Sequence, residues 1–230
     1  MLIGIIGAME VEIVELTQNM TEVSNTVIGG AAFHRGKLDG YDIVVGKCGV
    51  GKVHAAICTQ SMIMKYAPDV VINIGIAGSL NPDIKLGDII IATAVVQHDF
   101  DATAFDRPPG MVSGLEMVEF PVDKNMIDRL TQSINDCTYH AGIIATGDCF
   151  LNSAAAKERI VNNFRAIACD MESGSIAQVC YINKVPFGII RSISDNADQV
   201  AMADYPLFKL TAAKRAAVSV RKFLQIINKS

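Results

Sequence analysis

Three acidic side chains stand where a strand gives way to a loop or helix: Glu12, Glu172 and Asp195. Cleavage of a glycosidic bond calls for one carboxylate to activate water and one acid to protonate the leaving group. A third carboxylate beside the sugar would stabilise the oxocarbenium-like transition state or hold a hydroxyl. Each acid also has a plainer reading. Glu12 and Glu172 open helices, where the macrodipole favours acids in any case. Asp195 lies in residues 186–198, PFGIIRSISDNAD, whose apolar run reads as a buried strand that delivers side chains to its carboxyl end. In open α/β sheets ligands collect at that edge. An Asp there is partly desolvated, which raises its pKa and lets it donate a proton. The alternative is that Ser194 or Asp195 caps the next helix.

Two other motifs compete for attention. Residues 46–53, GKCGVGKV, fit the phosphate-cradling GxxxxGK, but Val53 stands where a Ser or Thr should hold Mg²⁺. The alternative is a glycine turn that lets a strand approach a ligand or helix closely. His98, Asp99 and Asp101 offer metal-ligand types, as do Asp195, Asp198 and Asp204. In a strand, 99 and 101 share a face that 98 does not, and no Cys or His partner falls at zinc spacing. A solvated strand end is the better reading. The sequence carries no GxSxG, GxGxxG or HExxH, so nucleophile-elbow hydrolases, dinucleotide enzymes and zincins lack support.

The elements that must position these residues alternate along the chain. Residues 2–6 read as a first strand turning into a helix at 7–12, and 21–47 as a meander with turns at Gly29-Gly30 and Asp39-Gly40. Helical spacing over 53–66 puts Val53, Ala56, Ile57, Met62 and Ile63 on a candidate buried face. Strands are expected at 68–76, 87–97, 139–145 and 166–169, with an irregular stretch at 98–121. Helices are expected at 123–135 behind an Asp123 N-cap, and at 154–162, 171–181 and 204–227. This alternation predicts a mostly parallel sheet flanked by helices, in one domain over 1–230 with no linker and no repeat.

Composition narrows the function classes. The 230 residues suffice for a real core, half of them are hydrophobic and the mean hydropathy is +0.32, which speaks against disorder. A net charge of −4 gives no basic stripe for nucleic acid. Six Cys without a CxxC pair read as reduced, buried thiols of a cytoplasmic protein. The apolar start MLIGIIGAM lacks a basic region and meets Glu10 and Glu12 at once, so it reads as a strand rather than a signal peptide. No apolar run approaches the roughly 18 residues a membrane span needs.

Seven separated motifs in order carry a resemblance: IGIIGAMEVE (3–12), GVGKVHAA (49–56), INIGIAGS (72–79), GDIIIATAVVQHDFDATAF (87–105), TGDCFLN (146–152), DMES (170–173) and RSISDNADQ (191–199). The chain resembles the 5′-methylthioadenosine/S-adenosylhomocysteine nucleosidases of the purine nucleoside phosphorylase superfamily. That resemblance implies a three-layer α/β/α fold with a twisted, mixed, partly closed sheet, a homodimer, and no metal or organic cofactor. The reaction it implies is hydrolysis of the N-glycosidic bond, releasing adenine and methylthioribose or S-ribosylhomocysteine. Glu12 would activate water, Asp195 fixed by Ser194 would protonate N7 of adenine, and Glu172 would bind the ribose hydroxyls with Met171 packing on the sugar. Phe150 would stack on adenine and the Leu151 backbone would read its edge. Met9, Val50, Tyr205 and Phe208 would line the 5′ pocket, Phe105 would come from the partner subunit, and Ala77, Gly78 and Arg191 complete the expected binding set.

Two positions depart from the family pattern: Ile76, expected to act through its backbone, and Tyr205, whose hydroxyl bears on the 5′ substituent. Residues 196–203 are expected to close over the substrate. The sibling reactions are futalosine or 6-amino-6-deoxyfutalosine hydrolysis and nucleoside phosphorolysis. Glu10 and Glu12 beside the first strand argue against a phosphate dianion, at roughly 1–4 kcal/mol per close pair.

Overall fold

The computed structural model describes residues 1–199 and 201–227. The organising strand is β5 (Val70–Ser79), buried along its whole length. Beside it on one flank runs β1 (Leu2–Gly7), then β4 (Tyr41–Lys47), both parallel to β5, and the meander continues antiparallel through β3 (Ala31–Leu38) and β2 (Thr21–Ile28). On the other flank lies β10 (Phe187–Asp195), parallel to β5 and also wholly buried. Strands buried on both faces carry apolar runs rather than alternation, which is the pattern of VVINIGIAGS and FGIIRSISD.

The sheet then turns back on itself. β10 pairs antiparallel with β6 (Ile89–Gln97), β6 runs parallel to β8 (Tyr139–Thr146), β8 parallel to β9 (Ala168–Asp170), and β9 pairs back to β5 at Gly78 and Ser79. These five strands form a closed ring. β7 (Glu119–Pro121) adds to β6. Among the described residues half of the ten strand pairings are antiparallel, so the mostly parallel sheet expected from alternation is corrected to a mixed one. The hairpins of the meander and the reversal at β10–β6 are the physical reason.

Helices cover both faces. α1 (Glu10–Thr17), α3 (Lys124–Gln132) and α6 (Ala201–Ile227) share one, with α6 lying along β5 and β10. α2 (Lys52–Tyr66) and α5 (Ser173–Asn183) pack together on the other, and α4 (Ala154–Phe164) leans on β8. Asp123 caps α3 as expected, accepting from Asn125 and Met126 N–H. The face expected for α2 is corrected. Its buried residues are Ala55, Cys58, Thr59 and Met62, whereas Val53 and Ile57 are exposed. Cys58 and Met62 face the sheet at Gly46 of β4, and Met62 also reaches Gly4 of β1. α6 begins at Ala201 rather than 204 and runs through Pro206. The expected lid over 196–203 includes residue 200, which lies outside the described residues. None of the described helices is long and apolar enough to cross a membrane.

Candidate active site

The carboxyl ends of β1, β5 and β10 meet the loops after β4, β8 and β9 around one cleft. Glu12 enters it from the first turn of α1. Its Oε2 accepts from the N–H groups of Ala8 (2.7 Å) and Met9 (2.8 Å), and its Oε1 from Ile76 N–H on β5 (3.2 Å). The bond to Met9 is the return half of a capping box, so the plainer helix-start role holds at the same time as the cleft position. Gly75 makes this possible. A Cβ there would stand 2.6 Å from Glu12 Oε1, so β5 can approach the carboxylate only without a side chain. Burial pushes the Glu12 pKa up, against the lowering charge of Arg191 and the three N–H donors.

Glu172 follows β9 and precedes α5. Its Oε1 accepts from Gly51 N–H at 2.8 Å, at the start of α2. Burial, and then the nearby Asp170 charge, raise its pKa to about 7, with Gly51 N–H and Arg191 opposing. Beneath these two glutamates lies a buried network. Asp170 accepts from Arg191 Nε (2.8 Å), from Thr146 Oγ1 (2.6 Å) and from Ser173 Oγ, while Arg191 also donates to Asn73 and Ser173. An ion pair this deep is sustained only with its remaining donors and acceptors matched, as they are here.

Asp195 ends β10. Its Oδ1 accepts from Ala197 N–H (2.9 Å) and its Oδ2 from Ser194 Oγ (2.9 Å). Burial raises its pKa against both hydrogen bonds. The Asx turn to Ala197 gives the helix-capping alternative partial substance, but Asp195 also faces the cleft. Phe150 and Leu151, on the loop after β8, form the wall beside it. Phe150 meets the Tyr205 ring edge-on at 5.6 Å, and Tyr205 donates from its hydroxyl to Met9 Sδ at 3.4 Å.

Of the residues expected at the site, Glu12, Glu172, Asp195, Met9, Val50, Ala77, Gly78, Phe150, Leu151, Met171, Ser194 and Tyr205 line this one cleft. Arg191, Phe208 and Phe105 do not. Arg191 is 1% exposed and lies behind the glutamates, so a direct contact with substrate is corrected to support from below. Phe105 is 80% exposed, far out on the irregular stretch. Ala8, Cys149, Cys169 and Asp170 also line the cleft though no role was expected of them; all but Cys169 lie inside the quoted motifs, and Cys169 directly precedes one.

The competing motifs resolve against small anions and metals. Gly51 has φ +97°, and the first amides of α2 are occupied: Gly51 N–H by Glu172, and Lys52 N–H by Asp148 Oδ1 at 2.8 Å. A phosphate would have to displace two carboxylates. Residues 98–101 lie in a turn after β6 rather than in a strand, with Asp99 accepting from Lys52 Nζ (2.7 Å) and Asp148 N–H (2.9 Å). Among the described residues no group of three His, Cys, Asp or Glu side chains is arranged to hold a metal. Glu10 turns outward to Lys47 Nζ (2.9 Å), so repulsion of phosphate is corrected to Glu12 alone.

Residues 2–225 match the Phosphorylase superfamily. A Shewanella loihica protein named 5′-methylthioadenosine/S-adenosylhomocysteine nucleosidase is 38% identical over 229 residues, covering 98% of this chain and 99% of that one. A Neisseria meningitidis nucleosidase of the same name, solved in complex with methylthio-immucillin-A, superposes with a TM-score of 0.94 at 35% identity, covering 97% of this chain and 98% of that one. The futalosine hydrolase of Helicobacter pylori superposes with a TM-score of 0.93 at 34% identity, covering 97% of each chain. With the sequence match and the shared fold running nearly end to end, the chain belongs to the 5′-methylthioadenosine/S-adenosylhomocysteine nucleosidases of the phosphorylase superfamily.

Proposed function

We propose that this protein hydrolyses the N-glycosidic bond of 5′-methylthioadenosine and S-adenosylhomocysteine, giving adenine and methylthioribose or S-ribosylhomocysteine. The carrying observation is the convergence of Glu12, Glu172 and Asp195 on one cleft, each with a pKa raised by burial. Glu12 takes a proton from water as the oxygen attacks the anomeric carbon, and burial, which raises its pKa, makes it a stronger base. The glycosidic electron pair leaves with adenine, and Asp195 protonates N7 so that the base departs neutral. Glu172 holds the ribose hydroxyls and places negative charge beside the developing oxocarbenium ion. Phe150 stacks on the base, the Leu151 backbone reads its edge, and Met9, Val50 and Tyr205 receive the 5′ substituent. Carboxylates and water suffice for every step, without metal or cofactor.

Hydrolysis is favoured over phosphorolysis by where the backbone donors go. Ala8, Met9 and Ile76 N–H groups, which could cradle an anion beside the anomeric carbon, are taken by Glu12. The working unit in this reading is a homodimer of single-domain chains in a cytoplasmic compartment. Exposed Phe105 and the exposed apolar side chains Val53, Ile57 and Met64 support the pairing, and six free cysteines support reducing surroundings.

The test is adenine release from methylthioadenosine with and without phosphate, with the sugar identified. Free methylthioribose at a phosphate-independent rate is expected. Methylthioribose-1-phosphate formed only with phosphate would overturn the hydrolase reading. No adenine from methylthioadenosine, with adenine released from 6-amino-6-deoxyfutalosine, would move the chain to the second reading that the Helicobacter pylori structure supports.

A further inference from the structure

We propose that Lys157 is a positioning residue for the proton donor Asp195, an inference that rests on the nucleosidase reading. Lys157 projects from the first turn of α4, the helix that follows the Phe150–Leu151 wall. Its ammonium donates to two backbone carbonyls at once, Ser79 O and Asn196 O, each at 2.7 Å. Ser79 is the last residue of β5, and Asn196 directly follows Asp195 at the end of β10.

The pairing of these two strands is irregular at this point. The register shifts between Ile193 and Asp195, and Asp195 lies opposite Gly78. Past that pair the ladder has ended, yet Ser79 is fully buried and Asn196 partly so. Carbonyls in such surroundings need donors, and the Lys157 ammonium supplies charge-assisted ones to both. It thus pins the strand ends together on the far side of Asn196, while Ser194 and Ala197 hold the Asp195 carboxyl itself.

Local propensity does not explain this lysine. A cation in the first turn of a helix opposes the macrodipole, so α4 alone would do better with a neutral or acidic residue there. The tertiary contact is what the position serves. It also joins the base-stacking loop to the acid: Phe150 and Leu151 lead into α4, and Lys157 reaches from α4 to the residue after Asp195. A displacement of about 1 Å in a reacting group costs on the order of 10²-fold in rate.

The test separates positioning of the acid from general damage by changing the leaving group. Adenine needs protonation to leave, whereas 4-nitrophenolate does not. Rates are measured for Lys157→Met on methylthioadenosine and on the 4-nitrophenyl 5-methylthioriboside, with Lys157→Gln and Lys157→Arg beside it. Expected is a loss of about 10²-fold in kcat for adenine release, a loss under threefold for nitrophenol release, and partial recovery with Arg. If Met unfolds the protein, the same ratio is read from Gln and Arg. Equal losses on both substrates, or no loss on either, overturn the inference. Failure of the unmutated protein to release adenine overturns the functional reading instead.

Discussion

Replacing Glu12 by Gln separates the base from the scaffold it sits in. The wild-type carboxylate accepts three backbone N–H bonds, of 2.7, 2.8 and 3.2 Å. A glutamine of the same shape keeps one acceptor oxygen, best spent on Ala8 and Met9. Its NH₂ then faces the Ile76 N–H, and one long bond gives way to a buried unpaired donor, at about 1–3 kcal/mol. Against that, a carboxylate only 3% exposed loses its charge, which removes the desolvation that holds its pKa up. The two terms oppose, so net stability should change by about 1 kcal/mol or less, on the scale of ordinary point mutants. Activity has no such offset. An amide cannot take a proton from water, and general-base catalysis contributes about 10²–10⁴-fold, or about 3–5 kcal/mol of barrier. In the proposed mechanism adenine meets Phe150 and Leu151 rather than Glu12, so its affinity should change less than about threefold, under 1 kcal/mol. The assays are initial rates of adenine release, an adenine isotherm by calorimetry and a thermal melt. A variant that keeps more than a tenth of the rate refutes water activation by Glu12. A variant whose adenine affinity falls in step with its rate would show instead that Glu12 shapes the cleft.

Three further perturbations probe the same geometry. Asp195→Asn should cost at least tenfold more in kcat than Ser194→Ala, because the serine supplies one hydrogen bond of about 0.5–1.5 kcal/mol while in the proposed mechanism the aspartate supplies the proton; equal losses would reduce Asp195 to holding the base. Glu172 has a folded pKa raised from its ordinary 4.5 to about 7, so the native state binds the extra proton. Stability should therefore be fullest below about pH 4.5 and fall as pH rises toward 7, by up to about 3 kcal/mol, and Glu172→Gln should flatten that slope in denaturant titrations; an unchanged slope would place the titration elsewhere. Gly75→Ala puts a methyl 2.6 Å from Glu12 Oε1 and 3.2 Å from Arg191 Nη1. Activity should fall more than tenfold for a stability loss of about 1–3 kcal/mol; full activity would mean that β5 does not pack against the carboxylate as described.

The order of strands and helices was legible because strand runs and helical spacing alternate cleanly, and the acids were legible because they sit at the breaks. What was not legible depended on partners distant in sequence. The apolar spacing of α2 nominated Val53 and Ile57, but α2 buries Ala55, Cys58, Thr59 and Met62, with Cys58 and Met62 against the sheet at Gly46, a choice made by the neighbours and not by α2. Arg191 shares its motif with Ser194 and Asp195, which made it look like a site residue. It lies four residues before the strand end, about 13 Å deeper at the strand rise. There it meets Asp170 from β9 and Asn73 from β5, and proximity along the chain became separation in space.

The GKCGVGKV stretch carries the same lesson into chemistry. Its glycines, its strand and its helix are in place, and the helix does present free-standing amides to an anion. The anions it finds are the protein's own: Glu172, 121 residues away, and Asp148, 96 residues away. At the end of β1 the N–H groups of Ala8 and Met9 go likewise to Glu12. An edge built to bind anions is thus filled with carboxylates. In the proposed mechanism this filling keeps a phosphate nucleophile out and, in the same stroke, puts Glu12, its pKa raised by burial, where water is activated. Glu12→Gln is for that reason also a test of this exchange. With the charge gone, inorganic phosphate should meet less repulsion at the β1 edge, by roughly 1–4 kcal/mol. Weak phosphate binding by the variant and none by the parent protein is the expected outcome in calorimetry. Equal binding by both would mean that the carboxylate is not what keeps phosphate out.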